Sequence, residues 1–378
     1  MSKKVLILGI DGYIGWALAN ELKGQGYGVC GVDSRFRRYM VKSLYPISSI
    51  NNRHDKFHIF SHDIASSDGL SRLLEDPPDA IIHLAEQPSA PFSMTHSGAM
   101  TTQSNNVLGT LRLLFLIKEH CPSTHLIKIG TMGEYGTPDC IIPEGMIPEW
   151  GPGQGNDEQC PNTDHPYEGP CPMQGLMFPR SPGSFYHLSK VFDSLNIKFA
   201  CDTWGLRSTD IMQGIVFGLA HETRFDYDEN FGTVINRFCA QALAGIPLTI
   251  YGKGGQTRGF LPLTDSLKCL QLAIDNPPPE GTYRTFNQFA HIMSIKECAE
   301  LVAQAASSLG IPTKIQHIPN PRKESEDHHY HVVTDNLHDL GYEPNLDFSS
   351  VIRDTLLTLM PYKHLINKDI IYPTTNWR

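Results

Sequence analysis

The sequence predicts an α/β fold, a doubly wound parallel sheet followed by a smaller C-terminal α/β unit. Short apolar, β-branched runs alternate with helical patterns through the first half of the chain, the signature of a parallel sheet covered by helices on both faces. The first run ends in three spaced glycines that open a helix. The second ends on an acidic residue, eighteen positions beyond the last of those glycines.

Taken in order, Val5–Leu8 reads as the first buried strand and Ile14–Leu22 as the first helix, with Gly9, Gly12 and Gly15 between and within them as G-x-x-G-x-x-G. Such glycines allow a tight turn and close approach of backbone to a pyrophosphate, while the helix N-terminus offers oriented N–H groups. This is the context of a dinucleotide-binding Rossmann turn. Gly28–Val32 is the second strand, and Asp33 at its end suits the adenosine ribose hydroxyls and repels a 2′-phosphate, which favours NAD over NADP. Arg35, Arg37 and Arg38 follow and are the groups that would hold that phosphate in the alternative. His58–Phe60, Ala80–Leu84 and His125–Ile129 are further strands, and Gly109–Glu119 is a helix. Asn106, at the polar start of that helix, either binds cofactor or braces the sheet.

Thr131 follows directly on the strand His125–Ile129, at the carboxyl edge where ligands bind in such sheets. Tyr186 and Lys190 stand four residues apart, on one face of a helix read over Ser184–Trp204. There Lys190 lowers the Tyr186 pKa and holds a nicotinamide ribose, while the phenolate takes a hydroxyl proton that Thr131 shares. Glu134 is either free for a second proton transfer or a solvated loop carboxylate. Residues 139–182, rich in Pro, Gly, Asn, Asp and Gln with Trp150, Tyr167 and Phe178 among them, read as a lid or binding loop. Ser208–Val216 is one more buried strand. The expected division is a dinucleotide domain over 1–218, carrying the 139–182 insertion, and a mainly substrate-binding domain over 219–378, with some segments returning to the sheet. Arg258, in Tyr251–Arg258, and Arg322, in Asn320–Arg322, bring guanidinium groups suited to phosphate.

Composition narrows the function. The 378 residues carry 31 Lys and Arg against 40 Asp and Glu, a formal charge of −9, so no basic face is available for nucleic acid. Gly9, Asp11, Gly12 and Gly15 interrupt the first apolar run too early for a membrane span. Nine cysteines without a tight repeat suit a reducing cytoplasm. Cys160 and Cys171 flank His165, but no C-x-x-C spacing supports a metal or disulfide there, and no metal is expected.

With the glycine triplet, Asn106, Thr131, Tyr186, Lys190 and Arg258 in this order, the chain resembles the extended short-chain dehydrogenases that act as nucleotide-sugar epimerases and dehydratases. The strings Thr131–Pro138 and Ser184–Lys190, with Glu86-Gln87, Ser89-Ala-Pro91, Phe231–Cys239 and Tyr251–Gly259, are most similar to the branch that sulfonates a sugar nucleotide. The resemblance implies that C4 of UDP-glucose is oxidised, water leaves across C5–C6, sulfite adds at C6 and C4 is reduced again. It implies an NAD site of Gly9, Asp11, Gly12, Tyr13, Ile14, Gly15, Asp33, Asp63, Ile64, Leu84, Asn106, Tyr186 and Lys190. It implies a UDP-sugar site of Gln87, Thr131, Gln213, Thr233, Thr249, Arg258 and Arg322. A homodimer is expected, joined through the helices around Gly109–Glu119 and Ser189–Trp204. Two features depart from that branch: Pro88 stands where an arginine is expected, and 139–182 is long. The rival functions are a UDP-sugar 4-epimerase or dehydratase that needs no sulfite, and a scaffold that has lost chemistry.

Overall fold

The computed structural model describes residues 2–47, 50–65, 69–136, 142–144, 182–320 and 332–372. Its strands are β1 (Lys4–Leu8), β2 (Gly28–Val32), β3 (His58–Phe60), β4 (Ala80–His83), β5 (His125–Thr131), β6 (Arg207–Gln213), β7 (Ile215–Phe217), β8 (Leu248–Tyr251), β9 (Thr257–Pro262), β10 (Tyr283–Gln288), β11 (His291–Ser294) and β12 (Ile315–Ile318). Seven of them form one sheet in the order β10-β6-β5-β4-β1-β2-β3, and every neighbouring pair in it runs parallel. The strand order reverses between β1 and β4. This switch point leaves a crevice at the carboxyl ends of the strands.

Alternate residues of β1 face opposite sides of the sheet. Val5 and Ile7 join Leu18, Leu22 and Ile82 in one core, while Leu6 and Leu8 join Ile81, Leu113 and Ile117 in another. Both faces are covered, which is why the strand is apolar without alternation. Each such side chain contributes roughly 1.5–3 kcal/mol by leaving water. The helix Tyr13–Gly24 follows the glycine turn, and Gly9 takes φ +86°, a left-handed conformation that glycine adopts without strain.

The run read as a single strand over Ser208–Val216 is two. β6 ends at Gln213, the Gly214 N–H bonds to the Gln288 carbonyl, and β7 leaves the main sheet to pair with β9. β9 also pairs with β11, and β8 with β12. These strands pack with the helices Val234–Ala244, Ile295–Ser308 and Phe348–Leu359 around a further core that includes Phe238, Leu248, Phe260, Val302 and Ile352. β10 closes the main sheet beside β6, although it comes from the C-terminal part of the chain.

The long helix spans Phe185–Trp204, and Ser184 caps it by accepting from the His187 N–H. A π-helical stretch, Gln103–Leu108, precedes the helix Gly109–His120 and carries Asn106. Of 139–182, only 142–144 and 182 are described: Ile142 bridges to Val332, and Glu144 accepts from the Asn287 and Asn336 N–H groups. The lid expected of the remainder, with Trp150, Tyr167, Phe178, Cys160, His165 and Cys171, lies outside the described residues, as does Arg322.

Candidate active site

A cavity of about 1190 Å³ opens at the carboxyl ends of the central strands. It exceeds the ~300–1,000 Å³ of a single small-ligand cleft, which leaves room for a dinucleotide and a second ligand. Gly9, Gly12, Tyr13, Ile14 and Gly15 form one wall. A Cβ on Gly15 would lie 2.2 Å from the Gly9 carbonyl oxygen, so the turn closes only with glycine there. Gly12 caps the helix without a side-chain acceptor, and the first helical turn holds no acidic residue. Its N–H groups are thus directed at the cavity for an anion.

Asp33 lines the same wall and accepts the N–H groups of Asp11 (2.8 Å) and Arg35 (2.6 Å). Burial and the adjacent Asp11 carboxylate push its carboxyl up to about 6. Asp63, Ile64 and Leu84 line the cavity farther along. These groups fit an NAD dinucleotide: an uncapped glycine turn for the pyrophosphate, a carboxylate for the ribose and apolar contacts for the base.

Two residues expected on the cofactor are placed otherwise. Asp11 points away from the cavity into an ion triad, with Arg38 at 2.7 Å and Arg53 at 2.5 Å, and these cations hold it below the usual carboxylate range against burial. Asn106 is fully buried: its Oδ1 accepts from the Gln87 N–H, and its Nδ2 donates to the Gln87 carbonyl and Ser189 Oγ. Of its two expected roles, the side chain takes the bracing one. The arginines that would have held a 2′-phosphate are also engaged, Arg38 with Asp11, Arg37 with Asp226 at 2.8 Å, and Arg35 with His54.

Thr131, Tyr186 and Lys190 line the same cavity. Thr131 ends β5 and starts a short 3-10 turn, Met132–Tyr135, where its Oγ1 accepts from the Gly133 N–H. The Tyr186 N–H is anchored on Ser93 Oγ. Lys190 Nζ lies 6.0 Å from the centre of the Tyr186 ring, donates to the Ile129 carbonyl at 2.5 Å and pairs with Glu86. Lys190 does pull the Tyr186 pKa down, as expected, but the net shift is upward. Burial raises the phenol and outweighs the pull of Lys190, while Glu86 adds to the rise.

Glu134 is corrected too. It is neither free nor solvated but wholly buried, with its carboxyl at Lys128, Ser194 and the Thr131 N–H. His187 lines the cavity in its place, Nδ1 sharing a hydrogen with Ser184 Oγ and its ring lying over Gly133.

On the substrate side, Gln87, Gln213 and Thr233 line the cavity. Thr233 Oγ1 is buried there without a hydrogen-bond partner. Thr249 is not on the wall: it sits in β8, outside the main sheet, and its buried Oγ1 accepts from Gln241 Nε2. Nor is Arg258, which lies in β9 and donates to the Thr257 carbonyl. Among the described residues, the arginines at the cavity are Arg237, whose Nε is buried without a partner, and Arg37, stacked 3.2 Å over the Phe231 ring. Sequence reading missed Glu86, His187 and Arg237, although all three lie inside strings already singled out. Pro88 lines the cavity, so the missing arginine is a difference at the site itself.

Comparison with known proteins places this geometry. The sequence pattern of the NAD dependent epimerase/dehydratase family matches residues 5–287. The chain is 42% identical, over its whole length and 79% of the relative's, to the chloroplastic UDP-sulfoquinovose synthase of Spinacia oleracea. It is 39% identical to the UDP-sulfoquinovose synthase of Sulfolobus acidocaldarius, over 99% of this chain and 98% of that one. Among solved structures, the UDP-glucuronic acid 4-epimerase of Bacillus cereus with UDP-glucuronic acid and NAD superposes with a TM-score of 0.70 at 20% identity, covering 96% of this chain and all of that one. UDP-glucose 4-epimerase of Thermotoga maritima with UDP-glucose gives 0.70 at 18% identity, with the same coverage. At those identities the superpositions speak for the fold.

Proposed function

The chain belongs to the NAD-dependent epimerase/dehydratase family, and we propose that within it the protein is a UDP-sulfoquinovose synthase, acting on UDP-glucose and sulfite. Its cofactor is NAD. The observation that carries the reading is that Thr131, Tyr186 and Lys190 line one cavity together with the glycine turn and Asp33. Similarity over whole chains to two proteins named as such synthases supports the specific product.

NAD, when bound, supplies the two-electron oxidation and reduction at sugar C4. Tyr186 acts as the phenolate, takes the C4 hydroxyl proton and later returns it, and Thr131 Oγ1 holds that oxygen by a hydrogen bond. Lys190 supplies positive charge beside the phenol. His187, in the place first given to Glu134, takes the C5 proton and hands it to the C6 hydroxyl, which leaves as water with the C–O bonding pair while the C5–H pair forms the C5–C6 double bond. The bisulfite sulfur lone pair then forms the bond to C6, the double-bond pair moves to C5, and C5 takes the bisulfite proton. Thr233 Oγ1 and Arg237 Nε are buried donors without partners, suited to the UDP portion, with Gln87 and Gln213 beside the sugar. In this reading 1–218, completed by β10, carries NAD, and most of 219–378 carries the UDP-sugar.

The protein is proposed to act as a homodimer. Phe115, Leu195 and Phe199 are 44%, 52% and 61% exposed on the helices Gly109–His120 and Phe185–Trp204, a face that a second copy would cover. A reducing compartment, the cytoplasm, is proposed from the six described cysteines, all unpaired. No helix among the described residues is long and apolar enough to cross a membrane. The reading without sulfite, as a 4-epimerase or dehydratase, draws support from Pro88 at the cavity wall. Mass spectrometry of products from UDP-glucose, with and without sulfite in deuterated water, separates the two. A sulfonated nucleotide that forms only with sulfite supports the synthase, whereas an epimer or dehydrated sugar formed without it overturns that reading.

A further inference from the structure

Beneath Thr131 lies a group of charged side chains that the proposed reaction leaves unused. Lys128 (β5), Asp210 (β6) and Glu134 have side chains with 0% exposure. Lys128 Nζ lies 3.2 Å from Glu134 Oε1, 3.3 Å from Asp210 Oδ2 and 2.8 Å from Ser194 Oγ. Two carboxyl groups thus face one ammonium in a dry site. A second ionised carboxylate there would be a buried charge without its own counter-charge, and such a group takes up a proton instead.

The hydrogen count points the same way. Ser194 Oγ is 2.7 Å from Glu134 Oε2 and 2.6 Å from Asp210 Oδ2. A hydroxyl carries one hydrogen, which cannot serve both carboxyl oxygens and the Lys190 carbonyl at 3.1 Å as well, so at least one carboxyl must donate to it. Asp210 Oδ2 also receives the Tyr283 hydroxyl at 2.7 Å and faces Lys128, as an ionised oxygen would. Glu134 Oε1 accepts the Thr131 N–H at 3.1 Å, which leaves Oε2 as the place for a proton.

We propose that Glu134 is a neutral carboxylic acid that donates through Oε2 to Ser194 and accepts the Thr131 N–H through Oε1, a positioning residue for Thr131 rather than an acid or base of the reaction. Burial holds its carboxyl above the usual range, and Asp210 adds to this while Lys128 and Lys190 oppose it. The 3-10 turn depends on it: Thr131 Oγ1 accepts from Gly133, Glu134 closes back on the Thr131 N–H, and together they fix the direction of the Thr131 side chain.

The inference rests on the proposed redox role of Thr131, so its test has one arm that needs no substrate. Glu134→Gln presents a carbonyl to Thr131 and an N–H to Ser194, whereas Glu134→Ala presents neither. In single turnover, reduction of bound NAD by UDP-glucose should slow about 100-fold in Glu134→Ala, the scale of a misplaced reacting group. Glu134→Gln should recover to within about fivefold of the parent, the spread between ordinary hydrogen bonds. In infrared difference spectra against the parent, both variants should lose a protonated-carboxyl stretching band. A Glu134→Gln variant as slow as Glu134→Ala, or one whose protonated-carboxyl band is intact, overturns the proposal. If Glu134→Ala fails to fold, the rate and spectrum of Glu134→Gln decide alone. If the parent fails to reduce NAD, the functional reading falls while the spectrum still reports on Glu134.

Discussion

Replacing Asp33 by asparagine removes the carboxyl that closes the cofactor wall, and its effect on the NAD-free protein follows from charge alone. Burial and the adjacent Asp11 carboxylate push this group up to about 6 in the folded protein, from its ordinary 3.8. The native state therefore binds more protons than the unfolded chain between those values, and stability falls as pH rises through that window. From about pH 5 to about pH 8, ionisation of this one carboxyl should cost roughly 1.4 kcal/mol, about a tenfold change in the folding constant. Asp33 is only 9% exposed, so solvent screening takes little from that figure. Asparagine also disturbs the two N–H contacts, but that cost is the same at both pH values and cancels in the difference. Urea unfolding of both proteins, stripped of NAD, should show the parent losing about 1.4 kcal/mol more than the variant between the two conditions. Equal pH dependence would refute the argument that Asp33 is electrostatically strained and ready for a ribose to share.

The remaining predictions concern chemistry, core and assembly. Tyr186→Phe should fold and retain NAD while turnover falls by roughly 10²–10⁴-fold, since the proton acceptor at C4 is gone; near-normal turnover would remove Tyr186 from the mechanism. Lys128→Met should destabilise the fold by roughly 3–5 kcal/mol in thermal or urea unfolding, because Asp210 loses its buried cation and Glu134 a hydrogen-bond donor; a neutral effect would mean that the lysine is dispensable to Asp210. Phe199→Glu, on the exposed face of the long helix, should yield a monomer by light scattering. A parent that is already monomeric would remove the dimer.

Much of the fold could be read from the sequence because its signals are local. Gly28–Val32 and His58–Phe60 have the bounds expected of them, and the glycine turn sits between strand and helix as its spacing requires. Gly214 shows where local reading ends, since the apolar run continues across it while the chain changes sheets. Pattern alone does not reveal which neighbour a strand will choose. Among site residues, those fixed by backbone position, Thr131, Tyr186, Lys190, Gly9, Gly12, Tyr13, Ile14 and Gly15, reach the cavity. Polar residues whose direction depends on distant partners did not follow expectation. Asp11 is drawn off by Arg53, forty-two residues away, and Thr249 by Gln241. Glu134 is turned inward by Lys128 and Ser194, the latter sixty residues distant. Lys190 meets Glu86 across one hundred and four residues, so the charge balance beside the phenol exists only once the chain has folded.

The most direct test of the central claim, that one cavity oxidises and then re-reduces sugar C4, uses UDP-glucose carrying deuterium at C4, with sulfite and purified protein. Mass spectrometry should find a sulfonated sugar nucleotide with the deuterium back at C4, taken off and returned without exchange. Product without the label at C4, or no sulfonated product from a protein that still turns UDP-glucose over, would contradict the account.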